Sequence, residues 1–356
     1  MSPSRKLLCV FLIVAITGSA VGQSSDTEKR VESLIEQVRN NGQSSNAELS
    51  LLTVVEIPLT PRQLNDVTDI LLQRQMEFTN ATWTRAVRRL AKSNPVSLVV
   101  LLTPIERFLQ DSTGPEMLDL IIALRGLQGH SARVVDILQR FLRNSNDVLK
   151  LHAAVTILAL NSTDAGAEKI IESSLTDHRP AIVWRTALAM CDLAATTRWN
   201  EFLKTLLSHT DCRVRVASAF AYWRLTENAE TTVPVLVAAI ADDDKATPVE
   251  FTFPSTPGIS HRIIAIMALQ EIGQKATGAI PALEEVITTA VAQKLPIEAI
   301  PAQVAIRAIQ ALPPIAGSNP ELAKRLAVEI SVDSSLYQSF SEVVDKCMEE
   351  LMKQHP

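Results

Sequence analysis

Aromatic residues and runs of like charge are scarce in this chain, and each scarcity excludes a class of protein. Aromatic side chains make up 4% of the 356 residues, which disfavours sheets, because strands are rich in aromatic and β-branched residues. The net charge is −5 and no long run of one sign is present, whereas nucleic-acid-binding proteins usually carry a basic stripe. We therefore expect helices, and no nucleic-acid partner.

The cysteines are too few for a disulfide framework. Of the four, Cys9 lies in an apolar run near the N-terminus, and Cys191, Cys212 and Cys347 follow at wide spacings. Small disulfide-stabilised domains instead carry an even number of closely spaced cysteines. Cys191 lies among apolar residues at helical spacing, so we expect it to be a small core residue.

Residue patterns that carry catalysis are missing as well. None of the six histidines is followed by glutamate, and His-x-x-x-His pairs, Cys-x-x-Cys pairs and phosphate-binding loops are absent. The segment Gly129-His130-Ser131-Ala132-Arg133 lacks the closing glycine of a nucleophile elbow. The sequence therefore predicts no catalytic residue, no metal site and no cofactor.

The first 22 residues have the pattern of a secretory signal peptide. Arg5 and Lys6 precede a ten-residue apolar stretch, Leu7 to Ile16, and small residues end at Gly22. A helix that spans a bilayer needs about 20 apolar residues, so cleavage before Gln23 is favoured over retention as a membrane anchor. We expect a secreted or periplasmic chain with no membrane span after cleavage.

The rest of the chain repeats one apolar pattern. Residues at i, i+3, i+4 and i+7 form a stripe along one side of a helix. Such stripes begin at Leu120, Ala153, Ala187, Ser218, Ala265 and Ala305. The intervals are 33, 34, 31, 47 and 40 residues, and the first three are typical of repeated helix pairs. The pattern predicts an all-α protein in which a second helix follows each striped helix.

The residues before two of these helices carry a family resemblance. A turn acid, then Val-Arg, then an alanine-rich helix occurs at Asp211, Val214 and Arg215, and His261-Arg262 replaces Val-Arg in the next copy. This arrangement is similar to the HEAT-repeat family, in the variant first noted in bilin-attachment lyases. The tetratricopeptide family has a similar repeat length, but its tryptophan, Leu-Gly and tyrosine positions are missing here.

The resemblance implies an α-solenoid of stacked antiparallel helix pairs. It also implies that Asp211, Arg215 and Arg262 bond between adjacent turns of the stack, which is a structural role. Terminal units of such arrays are usually atypical. The expected organisation is a signal peptide at 1–22, an N-terminal helical cap at 23–80, a repeat array at 81–330 with an inserted loop at 242–260, and a C-terminal capping helix at 331–356.

Two functions remain open at this stage. One is an exported, non-catalytic scaffold that mediates protein–protein interaction, because stacked helix pairs create an extended binding surface. The alternative is an enzyme or enzyme subunit of the HEAT-like lyase group. An enzyme needs converging acids, bases or metal ligands, and the sequence offers none, so the scaffold is favoured.

The loop at 242–260 is the expected partner-binding site, since loops on rigid scaffolds often carry function. It combines acidic residues with two aromatic rings that would point the same way in an extended segment. The residues predicted to bind a protein partner are Asp243, Asp244, Phe251 and Phe253. In the alternative interpretation, the two phenylalanines cover the seam between Tyr222 and Ile264.

Overall fold

The structure is a computed structural model that describes residues 25–40, 44–55, 57, 59–73, 75–127, 130–160, 163–193, 197–242, 260–293, 300–317, 319–331 and 334–352. All regular secondary structure in these ranges is helical, which confirms the all-α prediction. Within the same ranges, no helix is both long and apolar enough to cross a bilayer.

The described residues fall into two compact units that divide between Ile170 and Ile171. The first unit contains α1 Ser25–Asn40, α2 Ser45–Val54, α3 Pro61–Gln73, α4 Asn80–Ser93, α5 Leu98–Asp111, α6 Met117–Ala123, α7 Ser131–Gln139 and α8 Asp147–Leu160. The boundary lies within α9, Ala165–Leu175. The predicted cap and array boundaries remain predictions.

The second unit continues with helices of similar length. They are α10 Pro180–Met190, α11 Asn200–Leu206, α12 Cys212–Thr226, α13 Ala229–Ala241, α14 His261–Ile272, α15 Ile280–Gln293, α16 Ile300–Ala316, α17 Pro320–Ser331 and α18 Ser334–Met352. Short 3₁₀ helices, for example Leu124–Gly126 and Gly273–Ala279, join some of them.

The helices begin where the sequence supplies capping residues. The side chains of Thr79, Asp211 and Ser260 each accept a backbone N–H from the first turn of α4, α12 and α14 respectively. Pro180 begins α10 at a position where its missing N–H costs nothing.

A capping residue, and not the proline, sets the start of α13. α13 begins at Ala229, five residues before Pro234. The side chain of Asn228 accepts the N–H of Thr231 and caps the helix there. Pro234 therefore lies inside α13, where it removes one backbone hydrogen bond without ending the helix.

In each unit the helices form two layers. In the first unit, α2, α4, α6 and α8 contact one another in turn and form one layer. α1, α3 and α5 contact one another in turn and form the other. In the second unit, α10, α12, α14, α16 and α18 form one layer, and α13, α15 and α17 contact one another in turn. Contacts such as α1–α2, α12–α13 and α15–α16 join the layers.

Four ion pairs link neighbouring helix pairs, and a fifth, Arg215–Asp242, joins the two helices of one pair. Arg39–Asp66, Arg88–Asp119, Arg133–Glu106, Arg198–Glu172 and Arg215–Asp242 join residues 26 to 31 positions apart. Each pair is partly exposed and contributes at most about 1 kcal/mol.

Candidate functional site

The even-numbered layer of the second unit presents a partly exposed apolar surface. Among the described residues, α12 contacts α10 and α14 on its flanks and α11 and α13 beneath. Apolar side chains at helical spacing on α10, α12 and α14 are only partly buried, and one of them is exposed. We call this set the aromatic face: Trp184, Leu188, Phe220, Trp223, Ile263 and Met267.

Two of the three rings of the aromatic face, both on α12, pack against each other. Phe220 and Trp223 are stacked, with ring centroids 6.3 Å apart and planes inclined by 13°. Met267 is 45% exposed. The indole N–H groups of Trp184 and Trp223 are buried and have no hydrogen-bond partner within the described part of the chain, so only the apolar parts of these rings reach the surface.

Arg224 closes one end of the aromatic face. Its Nε donates to the backbone carbonyl of Cys191, which ends α10, at 3.2 Å. Its guanidinium also pairs with Glu271 on α14. A single side chain of α12 therefore ties together the three helices that present the aromatic face, and it places a charged group at the rim.

The predicted residues Asp211 and Arg215 lie where α12 begins. Asp211 accepts the N–H of Arg213 at 2.9 Å and forms an ion pair with its guanidinium at 2.7 Å. Arg215 donates to the carbonyls of His209 and Thr210 at 2.9 and 3.0 Å and pairs with Asp242 at 3.0 Å. Arg215 thus joins the turn before α12 to the end of α13.

Sequence reasoning missed the partner of Asp211. An Asp-x-Arg pair with the same bonds occurs 34 residues earlier, where Asp177 accepts from Arg179 at 3.0 and 2.8 Å. The hydrogen bond from Arg179 is the main cause that lowers the pKa of Asp177 to about 2. Burial raises the pKa of Asp211, but the hydrogen bond and charge of Arg213 outweigh it, and the pKa is lowered.

The lowered pKa values make these two turns sensitive to acid. A carboxylate whose pKa is depressed on folding stabilises the fold above its unfolded pKa, and this contribution disappears as the pH falls through the folded pKa. For Asp177, this contribution to stability is lost as the pH falls from 3.8, the ordinary pKa, to about 2, the pKa in the folded protein. Both turns therefore keep their ion pairs at neutral pH.

The other predicted site residues are not brought together by the described contacts. Arg262 donates its backbone N–H to the Ser260 hydroxyl at 3.2 Å, and its Nε is buried without a hydrogen-bond partner among the described residues. Asp243, Asp244, Phe251 and Phe253 lie outside the described residues. Of the predicted loop, Asp242 and Ser260 are described, at the end of α13 and before α14.

The three described cysteines carry free thiols. Burial is the main cause that raises the pKa of Cys212 to about 12, and the Cys212 thiol also hydrogen-bonds to Asp242. Burial raises the pKa of Cys347 to about 12 and that of Cys191 as well. The thiolate is the nucleophile, so the raised pKa values predict that all three thiols react slowly at neutral pH.

We expect a thiol reagent such as 5,5′-dithiobis(2-nitrobenzoate) to label none of these cysteines rapidly in the native protein. Denaturant should expose all three, because unfolding restores the ordinary thiol pKa of about 8.5. Absorbance after mixing measures both rates. Cys212→Ser is the control, since Cys212 is the least buried of the three. Rapid native labelling that this variant abolishes would contradict the assigned bond to Asp242.

The described residues offer little of the geometry of a small-molecule site. A cleft of about 250 Å³ between α5 and α7 is lined by Glu106, Gln110, Arg133, Asp136, Ile137 and Arg140. Ligand pockets are usually about 300–1,000 Å³ and mostly apolar, whereas an ion pair, Arg133–Glu106, crosses this cleft. In the described ranges, no three His, Cys, Asp or Glu side chains are placed to hold a metal ion.

Comparison with known proteins gives no family. No model of a protein family matches the chain, and no curated protein matches its sequence.

Proposed function

We propose that this protein is an exported, non-catalytic scaffold, built as an α-solenoid of HEAT-like helix pairs, that binds another protein. In a solenoid each pair of helices contacts only its neighbours. The two-layer contacts within each unit and the ion pairs 26 to 31 residues apart support this architecture. The signal-peptide pattern of residues 1–22 supports export.

The aromatic face is the observation that carries the binding proposal. Tryptophan, phenylalanine and methionine are enriched in protein–protein interfaces, and tryptophan is especially common among the residues that dominate binding energy. In a chain with 4% aromatic residues, three aromatic side chains and the half-exposed Met267 share one surface. The Arg224–Glu271 pair supplies a polar rim, as interfaces usually have.

The test is quantitative capture of partners by a tagged full-length chain from the exported fraction of its source. The first readout is the chain itself, which should appear there with an N-terminus at or near Gln23. Phe220→Ser and Met267→Glu should lower partner capture by about tenfold or more, because hot-spot residues cost about 2 kcal/mol or more on truncation. Phe251→Ser/Phe253→Ser in the same assay reports separately on the loop at 242–260.

Phe202→Glu is the matched control. Phe202 is 37% exposed on α11, which lies outside the layer that carries the aromatic face. It should leave capture unchanged, and thermal melting should show that all variants are folded. Equal capture by wild type and both face variants, or an equal loss in Phe202→Glu, would contradict the proposal.

A further inference from the structure

α4 turns a row of cations towards solvent in the first unit. Its apolar side, with Trp83, Ala86, Val87 and Leu90, is buried. Its cations occur at i, i+3, i+4 and i+7, the spacing that elsewhere in the chain carries apolar residues. We call this set the basic face: Arg85, Arg88, Arg89 and Lys92.

The basic face lies on a side of α4 that the described helices leave partly exposed. Among the described residues, α4 contacts α2 and α6 on its flanks and α5 beneath, and no other α-helix packs against it to the same extent. Arg88 is 47% exposed, Lys92 is exposed, and Arg85 and Arg89 are partly exposed. The basic face is therefore a surface of the even-numbered layer, as the aromatic face is in the second unit.

The positive charge of the basic face is only partly balanced. Arg88 pairs with Asp119 at 2.7 Å, and Arg89 donates to the carbonyl of Leu52 at 2.8 Å and has a further interaction, so neither counts as unpaired. Arg85 and Lys92 make no hydrogen bond or ion pair with any described residue. Cations at i and i+4 repel one another along a helix, so this arrangement destabilises α4 while nothing is bound.

We propose that the basic face docks an acidic polypeptide segment in extended conformation. Seven helical steps of about 1.5 Å separate Arg85 from Lys92, so the row is about 10 Å long. An extended segment rises about 3.3 Å per residue and turns alternate side chains to one side. A few residues with alternating carboxylates therefore match the row, and guanidinium groups bind carboxylates in a bidentate manner.

A short row of four cations suits an acidic polypeptide better than a lipid bilayer or duplex DNA. A protein that lies on a bilayer inserts apolar side chains beside its cations, but the apolar side of α4 faces the core. Duplex DNA carries one charge per about 1.7 Å of axis, and proteins bind it tightly when they neutralise many phosphates along a longer row of cations. The basic face offers four cations, of which Arg88 is paired with Asp119.

The experiment measures fluorescence anisotropy of a labelled peptide of alternating glutamate and serine, titrated with the full chain. Binding should weaken as salt is raised, because surface charges are screened. Arg85→Glu/Lys92→Glu should bind about tenfold more weakly or worse, since charge reversal on a docking surface replaces attraction by repulsion. Circular dichroism should show an unchanged fold, and Arg85→Gln/Lys92→Gln should give an intermediate loss.

Lys204→Glu/Lys275→Glu is the charge-matched control, because both lysines are exposed in the second unit and make no polar contact with described residues. It should bind within about twofold of wild type if the basic face, and not net charge, attracts the peptide. Equal loss in both double variants would overturn the proposal. So would unchanged peptide binding by Arg85→Glu/Lys92→Glu, or tighter binding of phosphatidylserine vesicles or duplex DNA than of the peptide.

Discussion

Ala268→Arg should abolish stable folding of the second unit. Ala268 is fully buried in α14, which packs against α12, α13 and α16. Its methyl group allows these helices to approach closely. A larger side chain costs about 1–3 kcal/mol through overpacking, and a buried unpaired charge adds several kcal/mol more. This sum approaches the whole stability of a domain, which is about 5–15 kcal/mol.

The adjacent residue supplies the control. Met267 is 45% exposed, so Met267→Arg should change the free energy of unfolding by no more than about 0.5 kcal/mol. Urea unfolding followed by circular dichroism measures both variants. If Ala268→Arg unfolds at the same urea concentration as Met267→Arg, the assignment of Ala268 to the packed side of α14 is wrong.

Trp83→Ala should destabilise the first unit by about 3–5 kcal/mol, the range found when large buried aromatic residues are truncated. Trp83 is 1% exposed, and its ring lies 5.7 Å from that of Phe108 on α5. Its indole N–H donates to the carbonyl of Leu71 on α3 at 3.0 Å. The substitution leaves a cavity and also leaves that carbonyl without its donor.

Trp83→Phe separates the two contributions. Phenylalanine keeps most of the apolar bulk but has no N–H, so its cost should lie nearer the 1–3 kcal/mol of an unsatisfied buried polar group. Urea unfolding followed by circular dichroism measures the loss of unfolding free energy in each variant. Equal losses in the two variants would show that the hydrogen bond, and not the bulk, is what Trp83 contributes.

The helices were predictable because their signal is local. Ala265, Ala268, Leu269 and Ile272, chosen by spacing alone, are all buried in α14. Helix ends were less predictable where two local signals compete, as Asn228 and Pro234 do at α13. The hydrogen bond from the Thr231 N–H to Asn228 caps α13 at its start. Residue spacing does not show whether a helix begins at such a cap or at a nearby proline.

The surfaces were not predictable, because burial depends on neighbours that are distant in sequence. Spacing assigns Trp184, Phe220 and Trp223 to helices, but only the contacts among α10, α12 and α14 show which side of each helix stays partly exposed. The basic face was missed for a different reason. A search for runs of like charge reads consecutive residues, whereas a helix gathers cations that are three and four residues apart.

The linkage of each helix pair to its neighbours also bears on how the chain folds. Ion pairs that close segments of 26 to 31 residues require only short loops to form, and the entropy of loop closure rises slowly with length. Proteins dominated by such local contacts have low contact order and fold fast. In each unit, folding can therefore start at any helix pair and spread to the next without waiting for the chain ends to meet.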